Sequence, residues 1–134
     1  KTELEGLETD YFAFADLDPV FDFYTPVIIA NNTFLAEEPE TARAFLDAVS
    51  RGYEFAIEHP REAGEILCKA APELDPDLVK ASQEYLADKY QADAPQWGYI
   101  DQERWDAYYA WLNEKGLTET PIEAGTGCSN EYLP

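Results

Sequence analysis

The sequence predicts an α/β chain that is mostly helical with two short strands near its start, and three observations carry that expectation. Prolines stand at Glu38-Pro39-Glu40, His59-Pro60-Arg61 and Asp75-Pro76-Asp77, where a first helical turn tolerates the missing N–H, so a helix is expected to begin at each. Apolar residues follow these prolines at three- and four-residue steps, the period of one helix face. Before Pro39 the pattern changes to short aromatic and β-branched runs, which favour strands.

Taken in order, Leu7–Ala15 is rich in β-favouring aromatics and predicts a strand near Asp10–Ala15. Asp16-Leu17-Asp18-Pro19 breaks that run. Thr25-Pro26-Val27-Ile28-Ile29-Ala30 is apolar and β-branched and stops at Asn31-Asn32, as a buried strand would, so a second strand is expected at 26–30. In the first long helix Ala42, Phe45, Leu46, Val49, Tyr53, Ala56 and Ile57 share one face, which is expected to be core. The second shows Ala63, Ile66, Leu67 and Ala70, and the third Leu78, Ser82, Tyr85 and Leu86. A fourth, begun at Asp101, shows Trp105, Tyr108, Tyr109 and Leu112, with Gly116 as its stop. Residues 91–99 and 118–134 read as ordered loops. The prolines are 21 and then 16 residues apart, and a solenoid needs a fixed period.

A chain of 134 residues is about one domain long and long enough to bury roughly 68% of its unfolded surface. Its 28 acidic against 9 basic residues leave a formal charge of -19. Phosphate backbones are repelled by such an excess, because nucleic-acid affinity depends on Lys and Arg displacing counterions, so nucleic acid is not expected as a partner. No stretch approaches the roughly 18–20 apolar residues of a membrane helix, and the first residues lack the basic-then-apolar pattern of a signal peptide. Cys68 and Cys128 do not form the paired motifs of a zinc site. They stand either as two isolated thiols or as a disulfide tying down the tail.

Catalytic parts are scarce. His59 is the single histidine, and its place before a helix-starting proline suits capping or a surface role better than proton transfer. No phosphate-cradling loop occurs, and Gly125-Thr126-Gly127 is too short for a Rossmann turn. Asp16, Asp18 and Asp22 hint at a calcium loop, but Phe21 and Val27 stand where that loop needs glycine and glutamate. Nothing singles out a carboxylate pair for glycoside hydrolysis, and the sequon Asn31-Asn32-Thr33 is a short match that carries no weight. Neither a cofactor nor a metal is expected, and the chain reads as a non-enzyme.

Asp22-Phe23-Tyr24-Thr25-Pro26-Val27-Ile28-Ile29-Ala30-Asn31 resembles the Asp-Tyr-Tyr-Thr-Pro-Val-Ile-Ile-Ala-Asn segment of solute-binding proteins for thiamine-pyrimidine precursors, a group related to the fungal pyrimidine-precursor synthases. The likeness continues through Phe34-Leu35, Gly52–Pro60, Ala70–Leu74 and Ala92–Gly98, and closes at Asn130-Glu131-Tyr132-Leu133-Pro134. Cys128 departs from it, standing where a bulkier residue such as Phe is expected.

The resemblance implies the C-terminal portion of a two-lobed periplasmic-binding-protein type II fold. Residues 1–20 would end the second lobe, 21–26 would form a hinge crossing, and 27–134 would complete the first lobe and the tail. It implies a bacterial protein, periplasmic or membrane-anchored outside the cytoplasm, serving an ABC importer with its permease as partner and a hydroxymethylpyrimidine-type precursor as ligand. Membrane contact would come through the transporter or through a lipid anchor on a preceding segment. Asp22, Tyr24 and Thr25, which match the hinge motif, are the expected ligand-binding residues, while Trp97 is expected to pack. A piece of such a fold is expected to expose apolar surface and to self-associate. Other small solutes (sulfonates, nitrate, aromatic acids, riboflavin) remain open as ligands. So do a synthase relative and a free-standing helical interaction module.

Overall fold

The computed structural model describes residue 2 and residues 5–134. Positions 1, 3 and 4 of the predicted segment 1–20 lie outside the described residues. Among the described residues the order is α1 (Phe14–Leu17), a 3₁₀ turn at Pro19–Phe21, α2 (Asn32–Glu37), α3 (Pro39–Glu58), α4 (Pro60–Ala70), α5 (Pro76–Leu86), a second 3₁₀ turn at Ala87–Lys89, and α6 (Gln102–Glu114).

The expected α/β class is therefore overturned: no strand occurs among the described residues, which are all-α. Segment 10–15 is coil that enters α1 at Phe14, and 26–30 is irregular backbone after a cis Thr25–Pro26 peptide. The reason is that β-propensity measures how well a side chain fits a pleated, half-buried surface beside neighbouring strands. No ladder forms among the described residues, so the apolar runs have no such surface to join. Ile29 is 88% exposed and Tyr11 90%, and Phe12, Phe14, Leu17 and Ile28 are also open to solvent.

The chain divides into two compact units. One comprises Glu40–Tyr99 with the segments up to Thr9 and from Leu133. Its helices begin where the prolines predict: α3 at Pro39, α4 at Pro60 and α5 at Pro76. Asp75 caps α5, its Oδ1 accepting from the N–H of Asp77 at 3.0 Å and of Leu78 at 3.3 Å, an arrangement worth about 1 kcal/mol. Helices α4 and α5 pack as a hairpin. Gly64 is buried at their contact, where a Cβ would meet Val79 Cγ1 at 3.5 Å, and Arg61 reaches Glu84 at 2.6 Å. That ion pair is solvent-exposed and contributes at most about 1 kcal/mol.

Along α3, Ala42 and Ser50 are buried and Leu46, Val49, Tyr53, Ala56 and Ile57 half-buried, but Phe45 is exposed, contrary to a face that is core throughout. Ile66, Leu67 and Tyr85 are exposed likewise. Tyr53 anchors the loop at 90–97: Trp97 stacks on it at 4.4 Å and Tyr90 meets it edge-on at 5.0 Å.

The other unit comprises Asp10–Pro39 and Ile100–Tyr132 and is built around α6. Asp101 caps this helix, its Oδ1 accepting from the Arg104 N–H at 2.8 Å. At the far end Gly116 takes φ +64. Its N–H bonds the carbonyl of Asn113 at 3.1 Å while the Leu117 N–H bonds that of Leu112 at 3.0 Å, the paired pattern of a Schellman stop.

Two segments then cover α6. Phe14 meets Phe21 at 6.0 Å and Phe21 meets Trp111 edge-on at 5.3 Å, so Phe21 docks the 3₁₀ turn on the helix and Phe14 ties α1 to that turn. The tail runs back along α6 as a strap. The Asn113 side chain holds both the N–H and the carbonyl of Ile122, at 3.0 and 2.8 Å, and accepts from the Thr118 hydroxyl at 2.9 Å. Farther on, the Gly125 N–H reaches the Asp106 carboxylate at 3.0 Å, and Asn130 pairs with the backbone of Ile100 at 2.9 and 2.8 Å.

Candidate functional site

The candidate site lies within the unit of α6, where residues 22–25 cross the first turns of that helix. Phe23, Tyr24, Thr25, Trp105, Tyr108 and Tyr109 line a cleft of about 190 Å³. Helical spacing explains the composition of one wall: positions 105, 108 and 109 recur at three- and four-residue steps and so share a face. Phe23 stacks on Tyr108 at 4.2 Å with the planes 19° apart, which fixes the crossing segment to that face. Trp105 and Tyr109 stand 5.1 Å apart at a tilt.

Tyr24 is held at two points. Its hydroxyl oxygen accepts from the Asp101 N–H at 2.9 Å, and the Arg104 guanidinium lies 4.3 Å from its ring centroid. Arg104 is itself held by Asp22, donating from Nε to the Asp22 carbonyl and from an η-nitrogen to Oδ1 at 2.6 Å. Asp22, Arg104, Tyr24 and Asp101 thus form one chain of contacts. The ion pair is partly exposed, the side chains of Arg104 and Asp22 being 39% and 59% accessible, so its Coulombic share is modest. Its effect is geometric, keeping a planar cation on one ring face.

Of the expected site residues, then, Tyr24 and Thr25 line the cleft, and Asp22 does not line it but ties down the arginine that covers Tyr24. Thr25 is exposed.

Comparison with known proteins bears on the same segment. Residues 1–63 match the family model described as NMT1/THI5 like. Over 124 residues the chain is 29% identical to a formylaminopyrimidine-binding protein of Halalkalibacterium halodurans, covering 90% of this chain and 37% of that protein. It is 24% identical over 140 residues to the riboflavin-binding protein RibY of Chloroflexus aurantiacus, covering 97% and 38%. It is 38% identical over 116 residues to a 4-amino-5-hydroxymethyl-2-methylpyrimidine phosphate synthase of Candida albicans, covering 83% and 31%.

Residues 1–63 carry the pattern of the NMT1/THI5 like family.

The chain spans between 31% and 38% of the length of these relatives. The segment matching the NMT1/THI5 like model includes Asp22, Tyr24 and Thr25 but ends before α6, so the helix wall of the cleft comes from outside it. Sequence reasoning missed Arg104 and Asp101 as neighbours of Tyr24. The available local signal was an aspartate cap three residues before an arginine, and nothing in it points back to position 22.

Both cysteines are free thiols. Burial pushes the Cys128 thiol above its ordinary value; a hydrogen bond to Gln102 at 3.5 Å opposes the rise and the charge of Asp106 adds to it. The thiolate is the nucleophile, so at mildly alkaline pH Cys128 is expected to alkylate more slowly than a cysteine in a short peptide. Its rate should still be climbing with pH where the peptide's has levelled off. Mass analysis after timed iodoacetamide treatment without reductant checks this; a peptide-like profile, or protection from alkylation that reductant relieves, would contradict it.

Proposed function

We propose that this chain is part of an extracytoplasmic solute-binding protein of a bacterial ABC importer, that it is not an enzyme, and that its ligand is a thiamine-pyrimidine precursor of the hydroxymethylpyrimidine type. The observation that carries the reading is the aromatic cleft beside Tyr24 and Thr25. Two relatives are named for binding a pyrimidine and a flavin, and both solutes are flat nitrogen heteroaromatics. Aromatic walls suit such rings, since stacking contributes about 1–3 kcal/mol per base in nucleobase recognition.

In this proposal Tyr24 and Thr25 meet the ligand, Asp22 serves from the rim through Arg104, and residues 21–26 act as the hinge crossing. The permease is the protein partner. The enzymatic alternative draws on the synthase relative and would need a histidine at the reacting centre. His59, the single histidine, stands at the start of α4 with Phe55 at 5.0 Å and Glu58 at 3.8 Å, the surroundings of a surface residue.

Calorimetric titration of the full-length protein with hydroxymethylpyrimidine and its formylaminopyrimidine relative, with riboflavin and taurine as competitors, tests the proposal. Micromolar or tighter binding to a pyrimidine alone is expected. Binding of riboflavin or taurine in its place would replace the ligand class, and turnover of the pyrimidine would overturn the non-enzyme reading.

A further inference from the structure

The Gly125-Thr126-Gly127 turn matches no nucleotide-binding motif, yet it touches the aromatic cleft through a single residue. Trp105, one wall of the cleft, donates its indole Nε1–H to the Thr126 carbonyl at 3.0 Å. Gly127 takes φ +84, and a Cβ built on it would lie 3.4 Å from that Nε1 and 3.5 Å from Cζ2 of the same ring. Gly125, at φ +76, donates its N–H to both oxygens of Asp106 at 3.0 Å, so the turn is pinned to the next residue of α6 as well. Both glycines occupy the left-handed region that a Cβ disfavours. That backbone is what directs the N–H of 125 and the carbonyl of 126 at the same stretch of helix.

We infer that Gly125-Thr126-Gly127 is a positioning element of the cleft: it fixes the rotamer of the Trp105 indole and thereby sets the width of the slot open to a flat ring. The inference rests on the reading of the cleft as the pyrimidine site. Neither glycine nor Thr126 touches the ligand in this account. They act through Trp105, so the readout must follow the indole as well as the affinity.

The test uses ¹H–¹⁵N spectra of the full-length protein, with the Trp105 indole resonance identified by its loss in Trp105→Phe, combined with titration by hydroxymethylpyrimidine. In Gly127→Ala the Trp105 resonance should move and its solvent exchange quicken, and affinity should fall about tenfold, the size of one lost ring stack. Gly127→Asn, whose side chain tolerates the left-handed region, should stay within about threefold of the unaltered protein. An unmoved indole in Gly127→Ala overturns the inference, as does a released indole with unchanged affinity. Should Gly127→Ala fail to fold, Trp105→Phe decides: it keeps a ring but cannot donate to Thr126, and undiminished affinity there overturns the inference equally. If the unaltered protein binds no pyrimidine while Gly127→Ala still releases the indole, the cleft reading fails and the hold of the turn on Trp105 stands.

Discussion

Tyr24→Ala is expected to weaken pyrimidine binding by roughly 30-fold or more, equivalent to about 2 kcal/mol, and to lower stability by a further 2 kcal/mol or so. Three things leave with that side chain. The cleft loses a wall, Arg104 loses the ring it covers, and the Asp101 N–H loses its acceptor. A stacked ring contributes about 1–3 kcal/mol, a partly exposed cation–π contact about 0.5–1 kcal/mol and a hydrogen bond about 1 kcal/mol. Tyr24→Phe separates the terms. It keeps the wall and the arginine contact while removing the acceptor, so affinity should hold within about threefold and stability should fall by about 1 kcal/mol. Calorimetry beside urea unfolding measures both, and an alanine variant that binds as the unaltered protein does would remove Tyr24 from the site.

Asn113→Ala should cost about 2–3 kcal/mol and release the strap, because one amide side chain makes three hydrogen bonds to it and each contributes about 0.5–1.5 kcal/mol. Hydrogen exchange should show the Ile122 and Gly125 amides losing protection before those of α6 itself. Asn113→Asp keeps the acceptor for Thr118 and the Ile122 N–H but points a carboxylate oxygen at the Ile122 carbonyl, so it should fall between the two. If Asn113→Ala left both stability and exchange unchanged, the strap would be held by its other contacts alone.

The helices were legible because their signals are local. Pro39, Pro60 and Pro76 open α3, α4 and α5, Asp101 caps α6, and Gly116 stops it; in each case the cause lies within four residues of the effect. The strands were misread because Val27, Ile28, Phe12 and Phe14 advertise a fit to a sheet, and whether a sheet is present is not a local property. Core membership was partly legible for the same reason. Ala42 is buried as the helical period demands, whereas Phe45, Ile66 and Tyr85 keep that period and remain exposed, and the buried Val79 lies outside the face read for α5.

The candidate site divides along the same line. Tyr24 and Thr25 were visible through a contiguous motif, and Trp105, Tyr108 and Tyr109 through their helical spacing, although that spacing alone marked them as core. The two groups are joined by Phe23 stacking on Tyr108 and by Arg104 reaching Asp22 across 82 residues, and none of these residues carries any mark of its partner. Gly125-Thr126-Gly127 is too short for a Rossmann turn, and nothing local in it points to its partner Trp105, 21 residues before Thr126.

The strap also constrains the order in which this unit can assemble. Its ties to α6 and to the residue before its cap lengthen steadily in sequence separation: 9 residues from Asn113 to Ile122, 19 from Asp106 to Gly125, 21 from Trp105 to Thr126, 26 from Gln102 to Cys128 and 30 from Ile100 to Asn130. Loop-closure entropy grows only with the logarithm of loop length, so once the shortest loop has shut, each later tie adds a small increment. The tail can therefore close like a zipper from the C-terminal end of α6 toward its N-terminus, with the indole wall of the cleft set two-thirds of the way along.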